Sequence, residues 1–576
     1  MSDIQLMILR RMRLPLVVVI VAYAIAVFGL SLMPGTDPEG RPWHLSLFDA
    51  FYVMSYTATT IGFGEVPYPY SYAQRLWMTF SIYLTVISWA YALGVIFALT
   101  RQPAFHAALE RSRFEVGVRR LVDRFFVICG HGQSGQRLAT ALDRLGFATV
   151  VIEPNPERLR SLLVRDHAQP AVGIVGDARS PELLEAAGIR RDNCRGVVVL
   201  TPDDAVTQTI AIEVRVLAPQ LPVLARVKSP TVQQTLEDFG GVTLVNPFET
   251  FAFNFELALD KPDTLRLEEW LTGVPGAECP PRIGVPRGHW VLAGYGRFGA
   301  AVRVRLEQVG LTWKAIDLDP IRCGAEGIVG TGLAAEALKN AGIESACGLV
   351  AGTDNDANNL AIVMAARRLK PKLFVVIRQN QVTNRRLIDA ARAEMRFVQS
   401  EVMTHECLQL LTTPRLNRFL LQARELSNAW ALGVCGRIRE VAGNAVPHIW
   451  MVECDPGRLG LRHALIEQTE PALTIAHLLA DPEDRWTRIP ATPLMLLQGE
   501  RELLLPDESI VLQPGDRLLF AGAEGAEARQ SQLLDDDVAI DYVRTGQEPP
   551  RTWLGRWLQR TALASAPVAA KSEAQG

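Results

Sequence analysis

A short glycine-rich motif near the N-terminus is the first candidate functional segment of the chain. It reads Thr60, Ile61, Gly62, Phe63, Gly64. Glycine adopts backbone angles that other residues avoid, so alternating glycines can turn successive carbonyl oxygens to one side of an extended strand. Several such strands around an axis would form rings of oxygens that replace the water shell of an ion. The alternative is an ordinary glycine-rich turn.

Two later glycine loops have a spacing suited to nucleotide binding. Their glycines are Gly130, Gly132 and Gly135, then Gly294, Gly296 and Gly299. In both loops an acidic residue, Glu153 or Asp317, follows the last glycine by 18 residues. Such glycines allow a tight turn and a close approach to a pyrophosphate at a helix N-terminus. The carboxylate would accept hydrogen bonds from a ribose and repel a 2′-phosphate, which favours NAD, ADP or ATP over NADP.

The same segments are duplicated beyond their loops. The matching pairs are Gly176-Asp177 with Gly330-Thr331, Thr201 with Thr353, Asp204 with Asp356, and Arg226 with Arg378. Apolar strands alternating with amphipathic helices predict a doubly wound parallel sheet in each copy. The alternative for either copy is a fold that has lost its ligand and keeps its glycines for packing.

Two uncharged segments must position the first motif. Residues 14–33 and 76–100 are each long enough to cross a hydrocarbon core of ~30 Å as a helix. The apolar stretch 45–58 between them predicts a re-entrant helix leading into the glycine motif. Arginines before the first span and after the second place both ends in the cytoplasm. The alternatives for these spans are a buried soluble helix and, for the first, a cleaved signal peptide.

Composition excludes several classes of protein. A chain of 576 residues with a net charge of −3 lacks the basic excess that nucleic-acid binding requires. Eight cysteines without a CxxC pair argue against a disulfide framework or a structural zinc site. The length predicts three or more domains.

The expected fold class is an α-helical two-span membrane pore domain, two doubly wound, parallel-sheet, Rossmann-like α/β domains, and a small α+β C-terminal lobe. The predicted boundaries are 1–101 for the pore domain, 102–123 for a connector, 124–246 for the first Rossmann domain, 247–287 for a helical crossover and linker, 288–402 for the second Rossmann domain, 403–528 for helices and the lobe, and 529–576 for a mostly disordered tail. In that tail, Trp553, Leu554, Trp557 and Leu558 could form a short interfacial or partner-binding helix. Gly94 in the second span is a candidate gating hinge or a close-packing residue.

The glycine motif resembles the potassium channel signature Thr-Val-Gly-Tyr-Gly-Asp, with Ile61, Phe63 and Glu65 as substitutions. Phe63 keeps the aromatic ring but loses a hydroxyl that could anchor the filter. The resemblance implies a selectivity filter for K⁺ at Thr60 to Gly64. It also implies an obligate homotetramer in the membrane lipid, because two spans and one loop cannot enclose a pore alone.

Residues of about 45 to 525 together resemble bacterial two-span potassium channels with tandem RCK domains (regulators of potassium conductance, TrkA-like). The resemblance implies a ligand-gated channel of the bacterial inner membrane, with a cytoplasmic ring of RCK domains that binds an adenine nucleotide. It implies that Arg226, Arg297 and Arg378 contact phosphate and that Asp177 helps to orient the ligand. Thr331 replaces that aspartate in the second copy.

The resemblance also bears on metals and further effectors. In calcium-gated relatives two acidic side chains fall where this chain has Arg226 and Lys228, so that calcium site is not expected. Regulation by another divalent cation stays open. The C-terminal lobe is a candidate site for a second effector.

Two other functions are alternatives to a channel. A membrane-tethered NAD-dependent oxidoreductase would need a substrate domain with a catalytic set, and none is recognisable, so no enzymatic activity is expected. A transporter regulated by RCK domains would need many more spans than two.

Overall fold

The computed structural model describes residues 3–273, 276–323, 327–466, 471–547 and 555, which cluster into two units. The first unit contains the chain up to residue 122 and two short segments, 172–174 and 186–188. The second unit contains the rest of the chain.

The first unit is built on two long apolar helices with a short helix between them. Its elements are α1 (Asp3–Leu32), β1 (Gly35–Thr36), β2 (Pro42–Trp43), α2 (Leu47–Ala58), α3 (Tyr72–Thr100) and α4 (Pro103–Arg120). The segments Leu9–Leu32 and Tyr72–Thr100 are long and apolar enough to cross a membrane. Both helices begin before the predicted spans, because the polar residues that precede each apolar run continue the same helix.

The C-terminal half of α1 packs closely against the N-terminal half of α3. Gly29 lies against the ring of Trp77, and a Cβ at Gly29 would fall 1.9 Å from that ring. The Trp77 Nε1 donates a hydrogen bond of 3.1 Å to the carbonyl oxygen of Ala26. α3 starts at a capping box in which the Ser71 hydroxyl and the Gln74 side chain each accept from the other residue's backbone N–H. These contacts fix the two ends of the loop that carries the glycine motif.

The first α/β domain has six parallel strands. Its elements are β3 (Phe125–Cys129), α5 (Gln133–Arg144), β4 (Ala148–Glu153), α6 (Pro156–Leu163), β5 (Ala171–Val175), α7 (Pro181–Ala186), β6 (Cys194–Val199), α8 (Asp204–Leu217), β7 (Val223–Arg226), α9 (Pro230–Phe239) and β8 (Val242–Val245). The strand order is β5-β4-β3-β6-β7-β8. β3 is buried at every position, as expected for a parallel strand with helices on both faces.

The second α/β domain repeats this topology. Its elements, after the intervening helices, are α10 (Pro247–Asp260), α11 (Pro262–Leu271), β9 (Trp290–Ala293), α12 (Arg297–Gln308), β10 (Trp313–Asp317), α13 (Pro320–Cys323), β11 (Ile328–Val329), α14 (Ala335–Asn340), β12 (Gly348–Ala351), α15 (Asp356–Leu369), β13 (Phe374–Gln379), a 3₁₀ turn (Val382–Asn384), α16 (Arg385–Asp389) and β14 (Met395–Val398). The strand order is β11-β10-β9-β12-β13-β14. In both sheets the first strand lies beside the fourth, which creates the crevice where Rossmann-like folds bind ligands. The predicted duplication of a doubly wound sheet is confirmed.

The remaining elements form helices and a small α+β lobe, as predicted. They are α17 (Gln399–Thr412), α18 (Pro414–Glu425), α19 (Asn428–Ala442), β15 (His448–Glu453), α20 (Leu459–Ile466), α21 (Ile475–Leu478), β16 (Ala491–Gln498), β17 (Arg501–Leu504), β18 (Arg517–Gly522), α22 (Ala526–Asp535) and α23 (Asp537–Thr545). The lobe has an antiparallel sheet in the order β15-β18-β16-β17.

The prediction of a disordered tail from residue 529 is wrong for residues 529–545, which are helical. α22 and α23 cover residues up to 545, and their apolar side chains Leu533, Leu534, Val538, Ile540 and Val543 are buried. The segment has an acidic composition, but its apolar residues recur at helical spacing and pack into the lobe's core. The tryptophan-containing segment predicted as an interfacial helix lies outside the described residues, apart from residue 555.

Two helices exchange between the α/β domains. α10 follows the last strand of the first sheet yet packs on α12 of the second domain, with the rings of Phe251 and Phe298 5.4 Å apart. α17 follows the last strand of the second sheet and packs on α5 of the first domain. There Arg137 and Glu401 form an ion pair of 2.9 Å. Each domain therefore receives a helix from the other.

Candidate functional site

The glycine motif forms a loop between α2 and α3 in which every second residue has a left-handed backbone. The φ angles are 62° at Thr60, 67° at Gly62 and 98° at Gly64. Glycine tolerates such angles, so Gly62 and Gly64 permit this backbone; the assignment of the loop as an ion filter stays a prediction. α2 ends at Ala58, immediately before the loop, so the partial negative charge of a helix C-terminus adjoins it.

Tyr56 anchors this loop and was not singled out from the sequence. Its hydroxyl donates a hydrogen bond of 2.6 Å to the carbonyl oxygen of Gly64. Its ring meets the ring of Phe63 edge to face, with centroids 5.4 Å apart. The hydroxyl that Phe63 lacks is thus partly replaced by one from α2. A tyrosine four residues before the motif is the signal that could have identified it.

An ion pair holds the C-terminal end of the loop. The carboxylate of Glu65 lies 2.8 Å from the guanidinium of Arg75 and also accepts from the backbone N–H of Tyr70. Both ion-pair partners are partly exposed, so the pair orients the loop more than it stabilises the fold. Gly94 lies within the uninterrupted α3, with open space where a Cβ would stand. Its role as a hinge stays a prediction.

In the second unit, the two glycine loops have the same local geometry. Gly130 and Gly294 follow their strands with φ angles of 101° and 94°. A Cβ on Gly135 would lie 2.2 Å from the carbonyl oxygen of Gly130, and the equivalent distance for Gly299 is 2.6 Å. The third glycine of each loop therefore allows the helix to pack on its strand. The first glycine allows a close approach to neighbouring backbone, because a Cβ would lie 3.1 Å from Leu200 at Gly130 and 2.7 Å from Thr353 at Gly294, and the second, Gly132 or Gly296, faces open space. α5 and α12 begin directly after Gly132 and Gly296.

The two acidic residues are bound to their loops in matching ways. Glu153 accepts a hydrogen bond from the backbone N–H of His131, and Asp317 accepts one of 2.6 Å from that of Tyr295. The other oxygen of each carboxylate accepts from a backbone N–H two residues further along the chain, at 3.0 Å in both copies. A carboxylate has about four lone-pair sites, so each can still accept from ligand hydroxyls.

The first cavity, of about 520 Å³, lies at the first glycine loop. The predicted residues that line it are Gly130, Gly132, Glu153, Asp177 and Arg226. Asp177 is paired with Arg179 at 2.6 Å, and that hydrogen-bonded partner lowers the pKa of Asp177.

Arg226 is a buried cation in this cavity that forms no ion pair at 4.0 Å or less with any carboxylate of the described residues. It is 8% exposed, and one of its Nη atoms donates to the carbonyl oxygen of Thr201. Its Nε and the hydroxyl of Ser400, which also lines the cavity, have no hydrogen-bond partner within the described part of the chain. Burial lowers the pKa of Arg226, whereas the carboxylate of Asp204 acts in the opposite direction. Because unpaired buried charges are costly, the cavity is suited to an anion.

The second cavity, of about 970 Å³, lies at the second glycine loop. The predicted residues that line it are Gly294, Gly296, Arg297, Asp317 and Arg378. Thr331 lines it at the position of Asp177, so this cavity lacks that carboxylate. Burial lowers the pKa of Arg378; the carboxylate of Asp354 opposes this shift, and the neighbouring Arg297 adds to it.

Several lining residues come from the opposite copy and were not expected. Asn380, Gln399 and Ser400 of the second copy line the first cavity, whereas Phe248 of α10 lines the second. Gln133, in the first loop, donates a hydrogen bond of 2.8 Å to Gln381. The only sequence signal for these contacts is that each helix begins directly after the last strand of its sheet.

No group of three or more His, Cys, Asp or Glu side chains that could hold a metal ion occurs in the ranges that the structure describes.

Comparison with known proteins identifies the domains. Residues 16–102 match the ion channel family, and residues 126–247 and 290–398 each match the TrkA-N domain family. The fold and these matches define a membrane ion channel domain joined to two TrkA-N domains. The resemblance drawn from the sequence is thus confirmed, and the matched families point to ion channels rather than enzymes.

Parts of the chain are similar in sequence to potassium channel proteins. It is 25% identical to potassium channel protein 1 of Methanocaldococcus jannaschii over 201 residues, which are 35% of this chain and 59% of the relative. It is 27% identical to the voltage-gated potassium channel Kch of Escherichia coli over 176 residues, which are 31% of this chain and 40% of the relative. The chain thus matches only part of the length of these relatives.

Among solved structures, the chain is similar to the GsuK channel bound to NAD. The alignment covers 92% of this chain and 100% of the GsuK chain, with 16% identity and a TM-score of 0.46.

Proposed function

We propose that this protein is a potassium-selective channel, formed by four copies, whose opening depends on an adenine nucleotide bound to its TrkA-N domains. The observation that carries the proposal is the loop Thr60 to Gly64, with its alternating left-handed residues, inside a matched ion channel domain. Rings of carbonyl oxygens from four such loops would replace the hydration shell of K⁺.

The nucleotide part of the proposal rests on the two cavities. A carboxylate placed to accept ribose hydroxyls lies in the same cavity as an arginine whose Nε has no hydrogen-bond partner among the described residues, next to a helix N-terminus. That combination recognises a ribose and a phosphate together. NAD, ADP and ATP share this chemistry. The carboxylates Glu153 and Asp317 would repel the 2′-phosphate of NADP.

Gating follows from differential binding. A nucleotide changes the open fraction only if it binds the open and closed arrangements with different affinities. The chain connects α3 through α4 to the first sheet, so a change in the TrkA-N domains has a covalent path to the pore helices. We place both chain ends and the TrkA-N domains in the cytoplasm of a bacterial cell, on the evidence of the arginines that flank the spans. We assign no enzymatic role and no divalent cation to the protein.

Planar-bilayer recordings of the purified full-length protein test the proposal. We expect unitary K⁺ currents, a reversal potential that follows the K⁺ gradient in mixed K⁺ and Na⁺, and an open probability that changes with ADP or NAD. Steady turnover of NADH by the same preparation, without such currents, would favour an oxidoreductase and contradict the proposal. Ion movement at only transporter rates would contradict it as well.

A further inference from the structure

Phe248 has an unusual position between two positive charges. Its ring centroid lies 5.7 Å from the guanidinium carbon of Arg297 and 5.5 Å from that of Arg378. Within the described residues, neither guanidinium forms an ion pair with a carboxylate at 4.0 Å or less. The aromatic face is therefore an attractive partner that these two like charges share.

The ring itself is fixed by its surroundings. Phe248 is 3% exposed and packs near Phe397 and Phe298, with ring centroids 5.7 Å and 6.4 Å away. Asn246 caps the start of α10 by accepting from the backbone N–H of Phe248. A ring held by packing and by a helix cap gives both guanidinium groups a defined direction.

All three side chains line the second cavity, and they come from different elements. Arg297 begins α12 at the glycine loop, Arg378 lies on β13, and Phe248 lies in the first turn of α10. α10 in turn follows β8, the last strand of the first domain. The residue that contacts Arg297 and Arg378 is thus only three positions from the first sheet.

We propose that Phe248 is a positioning residue of the second nucleotide site, which holds Arg297 and Arg378 in the orientation that binds the ligand's phosphates. The inference rests on the proposed nucleotide binding. Phe248 does not contact the phosphates itself. It offsets the repulsion between the two guanidinium groups, so that both can point at one anion. Because α10 starts directly after β8, a movement of β8 would also move Phe248 and change the geometry of the second site.

Calorimetric titration of the full-length protein in detergent tests this role. All variants would carry Arg226→Met, which removes the cation of the first cavity. Phe248→Leu keeps an apolar side chain but removes the aromatic face, and Phe248→Tyr keeps the face. With ADP as the probe, we expect Phe248→Leu to weaken binding about tenfold, as the loss of two cation–π contacts implies, and Phe248→Tyr to restore most of the affinity.

Adenosine, which has no phosphate, distinguishes positioning from a general disturbance of the cavity. The affinity for adenosine should be the same with and without the Phe248→Leu change, because the arginines do not contribute to it. Equal weakening of ADP and adenosine would overturn the inference, as would undiminished ADP binding in Phe248→Leu. If the unmodified protein bound no ADP at all, the proposed nucleotide function would fail, and this inference with it.

Discussion

Replacement of Arg226 by methionine should have opposite effects on the free and the nucleotide-bound protein. Arg226 is buried, has no carboxylate partner among the described residues and has an unpartnered Nε in the first cavity. In the nucleotide-free protein, Arg226→Met removes a costly unpaired charge and forfeits one hydrogen bond to Thr201. We therefore expect an equal or higher melting temperature without nucleotide.

With nucleotide the expected change is a loss. A hydrogen bond to a charged group contributes about 1.5–3 kcal/mol, so the first site should bind ADP about 10- to 100-fold more weakly. At an ADP concentration about 1,000 times the wild-type Kd, one site stabilises the protein by about 4 kcal/mol, and a site about 30-fold weaker stabilises it by about 2 kcal/mol.

Thermal unfolding of the detergent-solubilised protein, with and without ADP, measures both effects. Arg517→Met is the matched control, because Arg517 is paired with Glu453 in the C-terminal lobe and lines neither cavity. Its ADP-induced shift should equal that of the wild type. A lower melting temperature of Arg226→Met without ADP, together with an unchanged ADP-induced shift, would refute the assignment of Arg226 to an anion site.

Three further predictions concern the filter loop, the ribose carboxylates and the response to pH. Tyr56→Phe removes the hydrogen bond to the Gly64 carbonyl, so bi-ionic reversal potentials should show a lower preference for K⁺ over Na⁺, and unchanged selectivity would contradict the anchoring role. Glu153→Gln and Asp317→Asn should each lower the adenosine affinity of one site and admit NADP in titrations, whereas variants that still exclude NADP would show that these carboxylates do not face the ribose. Burial raises the pKa of Glu406 to about 7 from an ordinary 4.5. The folded protein therefore holds this proton more tightly than the unfolded chain does, and the stability of the protonated form, fully present below pH 4.5, is lost as the pH rises through 7. The melting temperature should therefore fall between about pH 5 and pH 8, and Glu406→Gln should reduce that fall; an identical pH profile would contradict it.

Local patterns in the sequence predicted the architecture because each pattern restricts the backbone conformation of residues that are close in the chain. The repeated glycine loops and the equal spacing to Glu153 and Asp317 require a strand, a turn and a helix in fixed order, and the structure has them in both copies. The long apolar runs likewise predicted the two membrane helices. These features depend on residues that are close in the chain.

The parts that were not predicted depend on contacts between distant segments. The sequence does not indicate that α10 packs on the second domain or that Ser400 reaches the first cavity, since either helix could equally cover its own sheet. Tyr56 resembles any tyrosine of an apolar helix until the loop folds back to place Gly64 beside it. Residues 529–545 were predicted as disordered from their acidic composition, but their apolar residues recur at helical spacing and form helices.

We claim that backbone carbonyls of Thr60 to Gly64 coordinate K⁺ as it permeates, and uptake of K⁺ into liposomes measures whether they do. Gly62 has a φ of 67°, so Gly62→Ala strains the left-handed backbone by about 1–2 kcal/mol in each copy. We predict that liposomes with the wild-type protein take up K⁺ in the presence of ADP or NAD, and that Gly62→Ala abolishes uptake while ADP binding persists. Equal K⁺ uptake by the wild type and by Gly62→Ala would contradict the claim.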